Sequence, residues 1–536
     1  MRAFDDGTPA GGYVPRRPET TPLYGSVRRH LETWLVQAGA QDRVVPDFVE
    51  REFREFLDCG IAANGFLRLH CDGCGLDRVV PFSCKGRGFC PSCGGRHMAD
   101  TAAHLVDLVL PRVPVRQWVL SLPFGLRYRL AHDRELTADV LRVFVRSIFA
   151  SLRRRSRNSS SVNKPAHGGA VTFVQRFGGA LNLNVHFHTL ILDGVYRTTE
   201  GGGMLRFCPL PPPSAEELEW ILSRVVRGTG RLIERRGLGD EPDRLFAEDP
   251  LLAQLLAAAV QGRAATGPRS GQRMLRFGDR IEIPPGASDA QSTPGLVRAH
   301  GFSLHAGVAV PANDRQRLER LCRYAGRPPV ATERLSEMAD GRLLYQLRHR
   351  WKDGTTHVAF EPLELIDRLA ALVPPPRFHT VRYHGVLASR SKHRREVVPP
   401  APARPAVEAR VRIPGCGHGP GLTTAASHPS TPSPARTESV PVDGASESRA
   451  SRPSRYYSWS ELMRRVFAVD VLRCPRCQAG PMRILAAIHP PTAQAILKSM
   501  GLPTRAPPPV PAQTAHEDWT LAEPLPASGY STFPAA

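Results

Sequence analysis

The residues best equipped for chemistry are His186 and His188, which flank Phe187 in a run, Leu183–Val195, that reads as a β-strand. Side chains alternate faces along a strand, so the two imidazoles share one face about 7 Å apart while Phe187 takes the other. Such a pair can hold a metal ion, or it can be two surface histidines of a half-buried strand; these residues alone leave both readings open. As metal ligands they need further donors. Gln175, on the preceding strand of the same hairpin, and His305, in the run Phe302–Val310, are the candidates. Two imidazoles with oxygen donors suit Mg2+ or Mn2+ rather than a closed zinc site. Such an ion would polarise a scissile phosphate and orient it for in-line attack.

A nucleophile has to come from elsewhere. Tyr324 ends an expected helix, Asp314–Tyr324, among Arg315, Arg317, Arg320, Arg323, Arg327 and Arg334. A tyrosine nucleophile must shed a proton with a reference pKa of about 10, and neighbouring cations favour the phenolate. The plainer alternative is an amphipathic side chain closing a core. Tyr345, Tyr383 and the pair Tyr456-Tyr457 are competitors, with Tyr383 the stronger.

A third group is metal-ligating. Cys71-x2-Cys74, fifteen residues, then Cys90-x2-Cys93 fits a four-cysteine structural Zn2+ site, because two residues between cysteines let both thiolates turn toward one ion. Cys84 lies in the loop as a spare ligand. Cys474-x2-Cys477 is half of a second site, which Cys416 and His418 could complete, and Cys59, Cys208 and Cys322 read as small buried side chains.

These groups must be positioned by a large scaffold. The chain has 536 residues, enough for two or three domains. Its formal net charge of +21 comes mainly from arginine, which forks phosphate and points to nucleic acid as partner. Lys85 and Arg87 in the cysteine loop, the run Arg153, Arg154 and Arg155, and Arg323 and Arg327 beside the tyrosine are the expected DNA contacts. No run approaches the ~20 apolar residues of a membrane span. A soluble, cytoplasmic, nucleoid-associated protein with no membrane partner is expected, and eleven cysteines there argue for metal ligation over disulfides.

The expected fold class is α+β. Residues 1–26 form a disordered tail, 27–110 a helical zinc-binding module, 115–395 an antiparallel-sheet catalytic domain flanked by helices, and 396–455 a disordered Pro-rich linker. Residues 456–502 form a small helical segment, with helices at Ser458–Val471 and Ile484–Met500, and 503–536 a second disordered tail. Strands are expected at Gln117–Leu122, Gly169–Phe177, Leu183–Val195 and Phe302–Val310. A hairpin is expected around Lys352-Asp353-Gly354.

Several motifs occur in order: Cys71-x2-Cys74, Phe82 to Cys93, Trp118 to Pro123, Val171 to Gly178, the His186-Phe187-His188 strand, Leu321 to Pro329, and Arg382-Tyr383-His384-Gly385. In this the chain resembles the bacterial rolling-circle transposases of insertion-sequence family 91 and the related insertion-sequence-common-region elements. The resemblance covers roughly residues 27–395 and extends to the segment Cys474–Leu502. It implies an HUH single-strand endonuclease core, in which Tyr324 attacks a DNA phosphate, forms a 5′-phosphotyrosine link and frees a 3′-OH. Two-tyrosine members carry Tyr-x3-Tyr, whereas Arg320 stands four residues before Tyr324, so this chain resembles the single-tyrosine variety. Single-stranded DNA at transposon ends and target is the implied partner, and two protomers would be needed if both ends require a tyrosine. A plasmid rolling-circle replication initiator or relaxase, and a non-catalytic zinc-dependent DNA-binding regulator, are the alternatives.

Overall fold

A computed structural model describes residues 16–40, 43–158, 165–199, 203–238, 244–279, 294–400 and 457–513, all within one unit. Its centre is a six-stranded, wholly antiparallel sheet. The strands are β1 (Val115–Ser121), β2 (Gly169–Phe177), β3 (Leu183–Leu192), β4 (Leu296–Ala299), β5 (Phe302–Val310) and β6 (Val381–Gly385), in the order β6-β2-β3-β1-β5-β4. The histidine strand β3 is therefore interior, paired to β2 and β1. Almost every residue in β2 and β3 is buried. Strands covered on both faces lose polar alternation, and the sheet is indeed packed by helices on each side.

One face carries Phe187, Ile191, Val174, Trp118 and Leu120 into the main core. There the long helix Arg134–Asn158 supplies Phe144, whose ring lies 6.4 Å from that of Phe187. The other face carries the histidines. Its apolar part, Val171, Phe173, Leu190 and Leu192, packs against Ala102, Leu105 and Val106 of the helix Pro91–Leu108 and against Leu318, Cys322 and Ala325 of the tyrosine helix Arg315–Ala325. Phe187 and the histidines thus face opposite layers, as the period of two requires.

The N-terminal module begins earlier than its sequence suggests. Thr21 caps the helix Pro22–Gly39 by accepting from the Tyr24 amide, and Arg16 already donates to Cys59 Sγ, so residues 16–26 are ordered. The next helix, Asp47–Asp58, buries Val49, Phe53 and Phe56 at one-turn and two-turn spacing. The module is also not purely helical. Phe66–His70 and Asp77–Pro81 form a hairpin, and a third strand, Arg483–Ile488, pairs antiparallel with Phe66–His70 from the far end of the chain.

The expected helix Ile484–Met500 is therefore two elements, that strand and the helix Pro490–Ser499. Two consecutive prolines at 490 and 491 can only start a helix, so the apolar run cannot be one helix. The helix expected at Ser458–Val471 is shorter, Trp459–Phe467, and opens on a capping box between Ser458 and Glu461. Residues 503–513 are not a free tail: Val510 donates to the Arg28 carbonyl and Gln513 to Thr33 along the first helix. The expected linker 396–455 starts inside the described residues, where Arg394–Val397 is a helical turn, and from 401 on, with Cys416 and His418, it lies outside them. Among the described residues no helix is long and apolar enough to cross a membrane.

Candidate active site and metal centres

The hairpin register places Gln175 directly opposite His186, and Val119 of β1 opposite His188. The imidazoles of His186 and His188 meet edge to face at 4.9 Å between centroids, both almost wholly buried. Their outward-facing nitrogens are fixed by local partners. His186 Nδ1 lies 2.7 Å from the Asn184 carbonyl, which can only accept, so Nδ1 carries the proton and Nε2 keeps its lone pair. His188 Nδ1 lies 2.9 Å from the Gln117 amide nitrogen, which as placed donates to it. Rotating that amide by 180° sets its oxygen against Nδ1–H, the tautomer a ligating Nε2 requires.

Two polar atoms here are buried without a hydrogen-bond partner: His188 Nε2 and Gln175 Oε1. Leaving either unpaired is costly. Gln175 is held with its oxygen free because its amide nitrogen donates to the carbonyls of Ala325, at 2.6 Å, and Tyr324, at 3.2 Å. Imidazole nitrogens and an amide oxygen are the donor set a hard or borderline divalent cation takes. Burial pushes the His186 imidazole down to about 4, with repulsion from Arg327 and Arg127 added. Burial, and then repulsion from His186 and Arg327, holds His188 well below the ordinary range. Both are neutral near pH 7, as ligands must be. His305 is not brought to this site. It sits two strands from His188, with Val119 between them, and its ring lies over Gly307.

The tyrosine helix delivers Tyr324 to the same place. Its ring stands edge-on to His188, 5.8 Å between centroids and at 81°, with the side chain 38 % exposed. Among the described residues, the competing tyrosines are elsewhere or enclosed. Tyr345 is buried, Tyr383 lies on edge strand β6 with Arg394 over its ring, and the Tyr457 hydroxyl donates to Asp107. Tyr456 lies outside the described residues.

A cleft of about 240 Å3 opens beside Tyr324. It is lined by Arg327, Arg334, Arg348 and Arg350 and by the rings of Phe177 and Trp351. The guanidinium groups of Arg327 and Arg348 sit over the tyrosine ring at 4.4 and 5.0 Å. Arg348 and Arg350 come from the expected hairpin, whose strands are Leu343–Gln346 and Thr355–Phe360. Arg323 is half-buried on the tyrosine helix and does not line the cleft.

The sequence missed Gln117, Arg127 and Arg348, which belong to no motif. In the arginine run Arg153 is exposed, while Arg154 and Arg155 are partly buried and have internal partners. Arg154 pairs with Glu217 and stacks on Trp220, and Arg155 donates to the Pro211 carbonyl. An arginine already committed to internal partners is not a free DNA track. Lys85 and Arg87 are exposed in the cysteine loop.

The cysteines also group differently from their spacing. Cys71, Cys74, Cys90 and Cys93 do not form one site. Cys90 and Cys93 join Cys59 and Cys84, while Cys71 and Cys74 join Cys474 and Cys477. In the first group sulfurs approach at 3.3 to 3.7 Å, and in the second at 3.5 and 3.6 Å. Four thiolates about 2.3 Å from a tetrahedral Zn2+ would stand about 3.8 Å apart, so both groups fit structural zinc. A residue with positive φ directly follows Cys59, Cys74, Cys84 and Cys477, namely Gly60, Gly75, Lys85 and Gln478, whereas Cys90 and Cys93 open the helix Pro91–Leu108. Cys59, expected to be merely buried, is a ligand candidate because it caps the helix Asp47–Asp58 and meets the N-terminal end of the helix Pro91–Leu108.

The family comparisons agree with this geometry. A model described as "Transposase zinc-binding domain" matches residues 27–122, and one described as "Putative transposase" matches 169–209 and 250–395. The chain belongs to the transposases of insertion-sequence family 91. The transposase match spans β2, β3 and the tyrosine helix, and the zinc match ends on β1. Comparison with curated proteins and with solved structures finds no match. This transposase is thus a DNA-processing protein whose N-terminal module is of the zinc-binding type, with two four-cysteine groups that fit the metal.

Proposed function

We propose that this transposase cuts and rejoins single-stranded DNA at its element's ends through Tyr324. The observation that carries the proposal is the meeting of two orphaned ligand atoms, His188 Nε2 and Gln175 Oε1, with the ring edge of an exposed tyrosine. Structural histidines would be hydrogen-bonded at both nitrogens, and a structural tyrosine would have its hydroxyl enclosed.

His186, His188 and Gln175 would hold Mg2+ or Mn2+, and the ion would supply polarisation of a non-bridging phosphate oxygen. The chain's own groups do the rest. The Tyr324 oxygen attacks phosphorus in line, a tyrosyl O–P bond forms, and the P–O3′ bond breaks. The phenolic proton passes to solvent, and the departing 3′ oxygen gains one. The product is a 5′-phosphotyrosine and a free 3′-OH, and a second 3′-OH reverses the step at a new site. Bond energy is conserved in the link, so no nucleotide triphosphate is needed. Arg327 and Arg348 place positive charge against the phosphate, and the arginine-lined cleft beside Tyr324, with Trp351 in its wall, gives an unpaired strand a track.

Labelled single-stranded element ends incubated with Mn2+ should yield a covalent protein–DNA adduct, and duplex ends should not. Joining of that strand to an unrelated target separates a transposase from a replication initiator or relaxase with the same cutting chemistry.

A further inference from the structure

We infer that the cluster Cys71, Cys74, Cys474 and Cys477 is a zinc clasp. It fastens the chain's C-terminal segment, Tyr457–Leu502, to the N-terminal module, and through that segment it seats the tyrosine helix. The two knuckles lie some 400 residues apart in sequence, yet their sulfurs interleave: Cys71 faces Cys477 at 3.5 Å and Cys74 faces Cys474 at 3.6 Å. Each knuckle has the same local build. The Gly75 amide donates back to the Cys71 carbonyl, and the Gln478 amide donates back to the Cys474 carbonyl. Two half-sites so shaped complete one tetrahedron.

The helix Pro490–Ser499 seats Ala493 and Leu497 in the main core, but the cysteine end of the segment has little else to hold it. Its apolar cluster contains only four fully buried residues, Leu69, Cys71, Cys474 and Met482, and two of these are the cysteines themselves. The strand Arg483–Ile488 adds to the sheet edge, but Ile484 and Leu485 are exposed. A cluster this small does little by itself to hold the cysteine end, where metal ligation adds to the segment's other anchors in offsetting the entropy of closing so long a loop.

The clasped segment reaches the tyrosine helix through Arg465. Arg465, on the helix Trp459–Phe467, donates to Glu319 of the tyrosine helix at 2.7 Å and to Asp107 of the helix Pro91–Leu108. Leu462 of the same helix is buried against Ala99 and Ala103. Glu319 lies five residues before Tyr324, so Arg465 is a positioning residue for that helix. The clasp stands whether or not Tyr324 is the nucleophile.

The test uses the full-length protein. Native mass spectrometry of the wild type should count two Zn2+ per chain, and Cys474→Ser/Cys477→Ser should count one. In that variant, amide exchange over Tyr457–Leu502 should rise at least tenfold while the helix Pro91–Leu108 keeps its protection, which separates an opened clasp from a misfolded module. Arg465→Ala should keep both ions yet speed exchange within Arg315–Ala325. One Zn2+ in the wild type, two in the double cysteine variant, or unchanged exchange over Tyr457–Leu502 in that variant would overturn the clasp. Unchanged exchange of the tyrosine helix in Arg465→Ala would overturn its seating.

Discussion

Gln175 donates to the carbonyl of Ala325 at 2.6 Å, and with a longer bond to the Tyr324 carbonyl at 3.2 Å this ties the strand opposite His186 to the last turn of the tyrosine helix. The same amide therefore presents its oxygen to the proposed metal position and anchors the element that carries Tyr324. Gln175→Ala removes both roles. Adduct formation should fall by about 10- to 100-fold, and the Mn2+ concentration needed for half-maximal cutting should rise. A Mn2+ titration of single-turnover cutting measures both.

His186→Ala and His188→Ala should each abolish cutting while single-strand affinity persists, since these side chains act on the phosphate and are shielded from bulk solvent. Phe187→Ala acts on the opposite face. Its ring is fully buried against Phe144, so the loss should be one of stability, about 3–5 kcal/mol, read from denaturant unfolding.

Much of this arrangement was legible from sequence because it rests on periodicity. The runs Gly169–Phe177 and Phe302–Val310 are strands with the expected limits, and a period of two puts His186 and His188 on one face. What was not legible was pairing between distant segments. A Cys-x2-Cys spacing says that two thiolates can turn to one ion, but not which other pair completes it. The chain resolves that by folding Cys474 and Cys477 back 400 residues to Cys74 and Cys71. The partners of Arg154 and Arg155 were hidden for a related reason, because a run of like charge gives no sign of Glu217 and Trp220 waiting on another helix.

Salt dependence should follow the cleft and not the Arg153–Arg155 run. Arg348→Ala/Arg350→Ala removes two exposed cations beside Tyr324. For every phosphate that these arginines no longer neutralise, the slope of log affinity against log salt should shrink by about 0.7 on single strands. Single-strand binding measured across salt checks this.

Acid should destabilise the sheet edge through His384. Burial, and then Arg382, pushes its imidazole down to about 4, and its Nε2 lies 3.1 Å from Thr172 Oγ1. The folded pKa is below the unfolded value of about 6.5, so between those values the unfolded chain binds the extra proton. Stability is therefore present above pH 6.5 and falls as pH drops toward 4. His384→Gln should flatten that part of the melting-temperature profile.

The central claim is that Tyr324 is the nucleophile beside a divalent metal position. Its most direct test is peptide mapping of the DNA-linked fragment formed on single-stranded element ends in Mn2+. The adduct should lie on Tyr324, one per protomer since Arg320 occupies the preceding turn, and Tyr324→Phe should fold normally and form none. An adduct on Tyr383 or Tyr345, or one that persists in Tyr324→Phe, would contradict the account.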